Sequence, residues 1–279
     1  MSATLTVALA LRAATARLDA SESARLDAEL LLAHCLGVTR TQLYSTPEFE
    51  LNASAVMRFD ALIAARARHT PLAYLTGETE FWSLALRITP EVLVPRAETE
   101  LLVEVTLAAW PAATAGVLID LGTGSGAVAA AVAHERPVLT VFASDRSAAA
   151  LAVARSNFER LQLARIACVR GDWLAAVGSA RCDVIVSNPP YVGRTEAVDA
   201  AVGFEPPAAV YADDDGGAAL AAIIARAPPC LKRGGFIALE HGHAQGALVR
   251  GMLADHGLVR VASYRDLAGR ERVTSAWRD

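Results

Sequence analysis

Residues 117–135 read Val117-Leu118-Ile119-Asp120-Leu121-Gly122-Thr123-Gly124-Ser125-Gly126-Ala127-Val128-Ala129-Ala130-Ala131-Val132-Ala133-His134-Glu135, and this stretch decides the fold. Its opening is apolar apart from Asp120, which predicts a strand buried on both faces. Glycines at alternate positions follow, permitting a tight turn and close backbone approach to a ligand. The alanine- and valine-rich run after them predicts a helix. A strand, a glycine turn and a helix in succession open a parallel α/β unit, whose ligand sits at the carboxyl ends of the strands. The spacing is G-x-G-x-G, whereas a dinucleotide fold calls for G-x-G-x-x-G.

The same alternation extends in both directions. A helix over 98–110 precedes the first strand. Beyond residue 135 come a strand at 140–145, a helix at 147–161, strands at 165–172 and 183–191, a helix at 217–231 and a strand at 235–242. Strands alternating with helices predict a sheet covered on both faces. The last two strands, 258–267 and 271–279, are joined by a short turn and predict a terminal antiparallel hairpin. The acidic run Asp213-Asp214-Asp215-Gly216-Gly217 predicts a loop. Residues 5–18, 24–37 and 53–69 carry apolar residues at helical spacing, with Ser21 and Ser23 as candidate caps and Gly37 as a stop. Between these regions, 72–96 is rich in β-branched and aromatic residues and predicts a hairpin linker turning at Thr76-Gly77. The expected domains are therefore 1–71, 72–96 and 97–279.

Composition narrows the chemistry. Of 279 residues, 53% are hydrophobic and 20% charged, which supports a large core. The net charge is -4, against the basic excess that general nucleic-acid binding requires. In the first 70 residues seven arginines face seven acids. Lys232 is the one lysine beside 25 arginines. Cys35, Cys168, Cys182 and Cys230 form no C-x-x-C pair, so no metal site or redox motif is expected, and free thiols in a reducing cytoplasm are. The first 20 residues lack a basic leader, and no uncharged run reaches membrane-spanning length.

Three acidic or aromatic features follow the glycine loop on consecutive strand ends. Asp145 closes the second strand, where an ionised carboxylate can accept from both hydroxyls of a ribose. Asp172 and Trp173 close the third; the first can accept from an adenine amino group, and the second can pack on the ring face. Trp173 alone reads equally as a core aromatic, and a turn-acid role for Asp145 or Asp172 is the lesser reading of each. Their order on successive strands favours a nucleoside site.

The fourth strand ends in Ser187-Asn188-Pro189-Pro190-Tyr191. Two prolines remove backbone donors, and the Asn188 oxygen adds an acceptor. With Tyr191 as a flat wall, the turn suits a planar NH2 group, as found in glutamine amides, adenine and cytosine. Methyl transfer from a sulfonium to such a nitrogen demands alignment, with neither metal nor covalent intermediate.

These motifs resemble class I S-adenosylmethionine-dependent methyltransferases. The longer stretches PLAYLTGETEFWSLALRITPEVLVPRAETELLVE (71–104), VSNPPY (186–191), GFEP (203–206), LKRGGFIALEHG (231–242) and DLAGRERV (266–273) resemble the release factor glutamine methyltransferase (PrmC/HemK) family over roughly the whole chain. The resemblance implies a seven-stranded Rossmann-like methyltransferase sheet with a terminal antiparallel hairpin and a small all-α N-terminal domain that recognises the substrate. It implies S-adenosylmethionine as cofactor, and as acceptor the glutamine of the GGQ motif in peptide chain release factors. Cofactor contacts are expected from Asp120, Gly122, Thr123, Gly124, Ser125, Gly126, Asp145, Asp172, Trp173 and Asn188. Asn188, Pro189 and Tyr191 are the expected catalytic residues, with Pro190 and Arg96 also touching substrate. The family's PRPETE reads PRAETE here, Ala97 replacing a proline without removing a functional group. Glu98 and Glu100 fit a helix start equally well. A ribosomal-protein glutamine methyltransferase, a nucleic-acid amino-group methyltransferase, a nicotinamide dehydrogenase and a non-catalytic module are the competing readings. PRAETE, the helical N-terminus, the missing basic surface, the glycine spacing and the intact motifs argue against them.

Overall fold

A computed structural model of the chain describes residues 5–18, 21–175 and 177–279. The chain forms two compact units, Met1–Gly77 with Asp199–Phe204, and Glu78–Val198 with Glu205–Asp279.

The first unit is helical: α1 (Val7–Arg17), α2 (Ala24–Leu36), α3 (Arg40–Ser45), α4 (Ala53–Arg66) and α5 (Leu72–Thr76). Side chains of Thr6, Thr39 and Asn52 accept backbone N–H groups at the starts of α1, α3 and α4, relieving donors a helix start leaves unpaired. Gly37, in the left-handed conformation, stops α2. Ser23 precedes α2 but caps nothing; its hydroxyl, like that of Ser21, donates to Asp27. Asp27 is buried and needs those donors together with Arg66, 2.7 Å away. Val7, Leu31, Leu32, Phe59 and Ile63 form the core of the unit.

The Thr76-Gly77 turn expected of the linker is instead the end of α5, with Gly77 as its left-handed cap. The hairpin begins one residue later, β1 (Glu78–Phe81) pairing with β2 (Leu84–Arg87). Its turn residues are Trp82 and Ser83, both at positive φ. A two-residue hairpin needs that backbone hand, which sequence preference alone would assign to glycine or asparagine. The Glu100 carboxylate accepts the Trp82 N–H at 2.8 Å and supports the turn from outside.

The second unit continues with α6 (Glu100–Ala109), β3 (Gly116–Leu121), α7 (Ala127–Glu135), β4 (Leu139–Asp145), α8 (Ala148–Arg160), β5 (Ala167–Arg170), β6 (Cys182–Ser187), β7 (Val192–Gly193), α9 (Pro207–Val210), β8 (Tyr211–Ala212), α10 (Ala218–Cys230), β9 (Leu231–Glu240), α11 (Gly246–Asp255), β10 (Val259–Arg265) and β11 (Glu271–Trp277). Helices α3, α5, α9 and α11 and the small β7–β8 pair are additions to the expected elements. The seven-stranded sheet has the order β10-β11-β9-β6-β3-β4-β5. Five strands are parallel, and β11 enters antiparallel beside β9 with β10 outside it, the terminal hairpin.

Ile119 and Leu121 of β3, with Ile185 of β6 and Leu239 of β9, join a core with Leu220, Ile223 and Ile224 of α10 and Val249 and Leu253 of α11. Alternate residues Leu118, Val184, Val186 and Ala238 are also buried, so both faces of the sheet are covered. The chain runs β3, β4, β5 in one direction and then returns to place β6 on the other flank of β3. That reversal opens a crevice at the carboxyl ends of β3 and β6. Register aligns Leu121 with Ser187, so Gly122 and Asn188 are the first residues beyond the sheet on neighbouring strands.

Candidate active site

A cavity of about 620 Å³ lies at these strand ends, lined entirely by the second unit. Of the expected residues, Gly122, Gly124, Asp145, Asp172, Trp173, Asn188 and Pro190 line it. Asp120, Thr123, Ser125 and Gly126 shape its floor from behind, as the following bonds show.

The turn after β3 carries Gly122, Gly124 and Gly126 at positive φ. At Gly126 a Cβ would lie 2.6 Å from the Phe158 ring, so glycine is required by space as well as by backbone hand. Thr123 N donates to Ser144 O at 2.9 Å, tying the loop to β4. Its hydroxyl donates to Asp120 at 2.6 Å. Asn157 of α8 donates to Ser125 O at 2.8 Å and exchanges hydrogen bonds with the backbone of Arg87. This buried asparagine, absent from the expected set, holds loop and hairpin together.

Asp145 occupies the end of β4. One carboxylate oxygen accepts from Gly124 N at 3.0 Å, the other from Ser147 N at 2.8 Å. Each oxygen has two acceptor directions, so each keeps one for a ligand hydroxyl. The Trp173 ring stands over Gly122, where a Cβ would lie 3.2 Å from it. Trp173 itself has φ 46°, a left-handed backbone unusual for a bulky residue. A paired acceptor, an aromatic wall and a glycine floor that admits close backbone approach fit the ribose and adenine of S-adenosylmethionine.

Asn188 follows β6 and is half-buried. Its Nδ2 donates to Thr99 Oγ1 at 3.0 Å, which leaves Oδ1 for an incoming donor. Pro190 lines the cavity, whereas Pro189 is buried. Tyr191 lies outside the lining and packs beside the core, its hydroxyl donating to Glu240 at 3.1 Å. Burial and the neighbouring Glu240 push the Tyr191 phenol further up, so it stays neutral. Arg96 pairs with Glu205 of the GFEP stretch, whose side chain is 0% exposed. Glu205 also accepts Val94 N, so this pair fastens the PRAETE segment to GFEP. Arg96 therefore has a structural partner that the sequence did not disclose. Thr99, Glu205 and Glu240 were visible only as parts of longer stretches.

Burial pushes the Asp120 carboxyl up to about 7 from 3.8, against hydrogen bonds from Thr123 and Ala129 that hold it down. In the folded state this proton is retained between those values, where the unfolded chain has lost it. The resulting stability is complete below the lower value and is lost as pH rises through about 7. Glu240, also raised to about 7 by burial, acts in the same direction. Asp266 and Glu271, held low by backbone N–H groups and by Arg250, titrate below this window. The melting temperature should therefore fall from about pH 5 to about pH 7, less steeply where His241, lowered by burial, acts the opposite way, and Asp120→Asn should flatten part of that slope. An unchanged slope in a folded Asp120→Asn variant would place the pH dependence elsewhere.

All four cysteines are free, and no cluster of metal-ligating side chains occurs among the described residues. No described helix is long and apolar enough to cross a membrane.

Residues 10–77 match the PrmC N-terminal domain family, and residues 97–205 match the methyltransferase small domain family. The release factor glutamine methyltransferase of Xylella fastidiosa (strain 9a5c) is 44% identical over 95% of each chain. That of Escherichia coli (strain K12) is 41% identical over 95% of this chain and 96% of its own. Among solved structures, a methyltransferase from Pyrococcus furiosus superposes with a TM-score of 0.53 at 21% identity, covering 70% of this chain and 88% of that one. This last likeness concerns the fold. Near-complete coverage at more than 40% identity, with both family domains matched in order, shows that the chain belongs to the release factor glutamine methyltransferase family.

Proposed function

We infer that this chain transfers a methyl group from S-adenosylmethionine to the side-chain amide nitrogen of the glutamine in the GGQ motif of peptide chain release factors. The observation that carries the reading is the orientation of Asn188: its NH2 group is engaged by Thr99, and its carbonyl oxygen is left to accept an N–H at the cavity wall. The relatives' name supplies the acceptor. S-adenosylmethionine, when bound, supplies an electrophilic methyl group on a sulfonium sulfur. The chain does the rest by placement. Asp145 and the glycine loop hold the ribose, Trp173 and Asp172 take the adenine, and Asn188 with Pro190 holds the acceptor amide and aims its nitrogen. Carbonyl acceptors around that nitrogen favour the positive charge that develops there. An N-protonated amide is a strong acid, so proton loss needs no dedicated base.

The helical unit, which matches the PrmC N-terminal domain, serves to recognise the folded release factor; binding distant from the reacting atoms improves KM before it alters turnover. Full-length enzyme should then use an intact release factor with a much lower KM than a short Gly-Gly-Gln peptide. Equal values for both would end the recognition role. Because Asp199–Phe204 belongs to the helical unit, deleting the first 77 residues would strand that segment, and comparing substrates is the cleaner test. A release factor as acceptor supports a cytoplasmic reaction, and the net charge of -4 argues against a nucleic-acid partner.

The decisive experiment incubates the protein with methyl-labelled S-adenosylmethionine and a purified bacterial release factor, and locates the label by mass spectrometry. Label on the GGQ glutamine is the expected result. Label confined to a ribosomal protein or nucleic acid in a parallel lysate reaction would overturn it.

A further inference from the structure

Behind the Asn188–Tyr191 turn, four side chains from three segments meet, and two of them, Tyr191 and Glu240, have no part in the scheme above. Glu240 ends β9 and is 1% exposed. Its Oε1 accepts the Tyr191 hydroxyl at 3.1 Å, while its buried Oε2 has no hydrogen-bond partner among the described residues. The hydroxyl of Thr99, the residue before α6, lies beside this carboxylate and accepts Asn188 Nδ2 at 3.0 Å. A buried, incompletely matched carboxylate is destabilising, so its place against the acceptor turn calls for a reason.

The reason lies in the direction of the hydrogen bonds. A hydroxyl has one proton, and an ionised carboxylate can only accept. With Glu240 ionised, the Thr99 proton turns toward the carboxylate and its lone pair faces Asn188. The Asn188 NH2 group is then drawn inward and Oδ1 is presented outward. A flipped Asn188 would set an NH2 group against the NH2 group of the acceptor, donor against donor. Tyr191, whose hydroxyl donates to Oε1, keeps the end of the same turn in place.

We propose that Glu240 is a positioning residue for the acceptor site, acting through Thr99 and Tyr191 to hold Asn188 with its carbonyl oxygen toward the incoming amide. This rests on the glutamine-amide reading of the site. The charged and titratable groups facing Glu240 are Arg272 of β11, Glu98 of the turn before α6, and Tyr191. His241, next in the chain, is engaged by Gly242 O and Thr274 instead. Burial pushes Glu240 up to about 7, with Thr99, Tyr191 and Arg272 opposing the rise and Glu98 adding to it. Below that value a protonated carboxyl can donate to Thr99, and the direction of the chain is no longer enforced.

Glu240→Gln keeps the shape and removes the acceptor-only character. Its kcat at about pH 8 should fall about tenfold or more, while the Kd for S-adenosylmethionine and the KM for release factor stay within about twofold. Wild-type kcat should rise with pH through about 7, and this rise should vanish in Glu240→Gln. The Asn188 side-chain NH2 resonances should titrate with the same midpoint in the wild type and stay fixed in the variant. Unchanged kcat with the pH rise intact overturns the proposal. So does a loss of cofactor affinity matching the loss of kcat, which is what a general packing defect gives. If Glu240→Gln does not fold, Thr99 decides. Thr99→Val at least about tenfold slower than Thr99→Ser supports the relay, and equal rates refute it. The resonance titration needs no acceptor. An enzyme that methylates no glutamine would therefore sink the functional reading while the titration still judged Glu240.

Discussion

Asn188→Ala should lower turnover about 100-fold, with little change in melting temperature or in the Kd for S-adenosylmethionine. Among the described residues the side chain makes one hydrogen bond, from Nδ2 to Thr99, and the residue lines the cavity. Removing it takes away the acceptor that orients the incoming amide. A nucleophile free to rotate loses alignment with the methyl carbon, and displacements of about 1 Å can cost about 100-fold in rate. The thermodynamic cost to the fold is small, because Thr99 retains the Glu240 carboxylate beside it and Asn188 is only half-buried. The measurement is single-turnover transfer to release factor under saturating cofactor, beside a thermal melt. A folded Asn188→Ala enzyme that methylates at the wild-type rate removes this residue from the acceptor site.

Asp145→Ala should weaken S-adenosylmethionine binding by about tenfold to more than 100-fold. Hydrogen bonds to a charged acceptor contribute about 1.5–3 kcal/mol, and each 1.4 kcal/mol is about a factor of ten. The structure adds a second reason. Asp145 also accepts from Gly124 N and Ser147 N, so its loss slackens the glycine loop and the start of α8 together. Asp145→Asn does not separate the two contributions. It retains an acceptor for one backbone donor and presents an NH2 group to the other, so its loop should suffer as well as its ligand. Calorimetry on folded Asp145→Ala that returned the wild-type Kd would exclude Asp145 from the cofactor site.

Much of this architecture was legible in the residues themselves. The strand 117–121 is apolar apart from Asp120, a glycine turn follows it, and Asp145, Asp172 and Asn188 close successive strands. Period and turn chemistry are local properties, carried by a few consecutive side chains. They fix which segments are strands and which ends carry polar groups. Helix α5 was hidden within the expected hairpin linker, and the Trp82-Ser83 turn escaped because neither residue favours positive φ; the Glu100 bond from outside and the hairpin's own twist impose it. Helix α11 escaped because its glycines, Gly246 and Gly251, weaken the local helical signal, while Val249 and Leu253 stabilise it only by packing beneath the sheet.

The site divides in the same way. Sequence alone determined that a carboxylate, an aromatic ring and an amide stand at the ends of three strands. Tertiary structure alone decided what each polar group faces. Arg96 was a free cation in the sequence until Glu205, 109 residues away, was folded against it. Tyr191 was an open aromatic face until Glu240 drew its hydroxyl toward the core. The direction in which Asn188 points is set by Thr99, 89 positions earlier in the chain. Hydrogen bonds are short-ranged and directional, so their partners are fixed only when sheet register brings distant segments within about 3 Å.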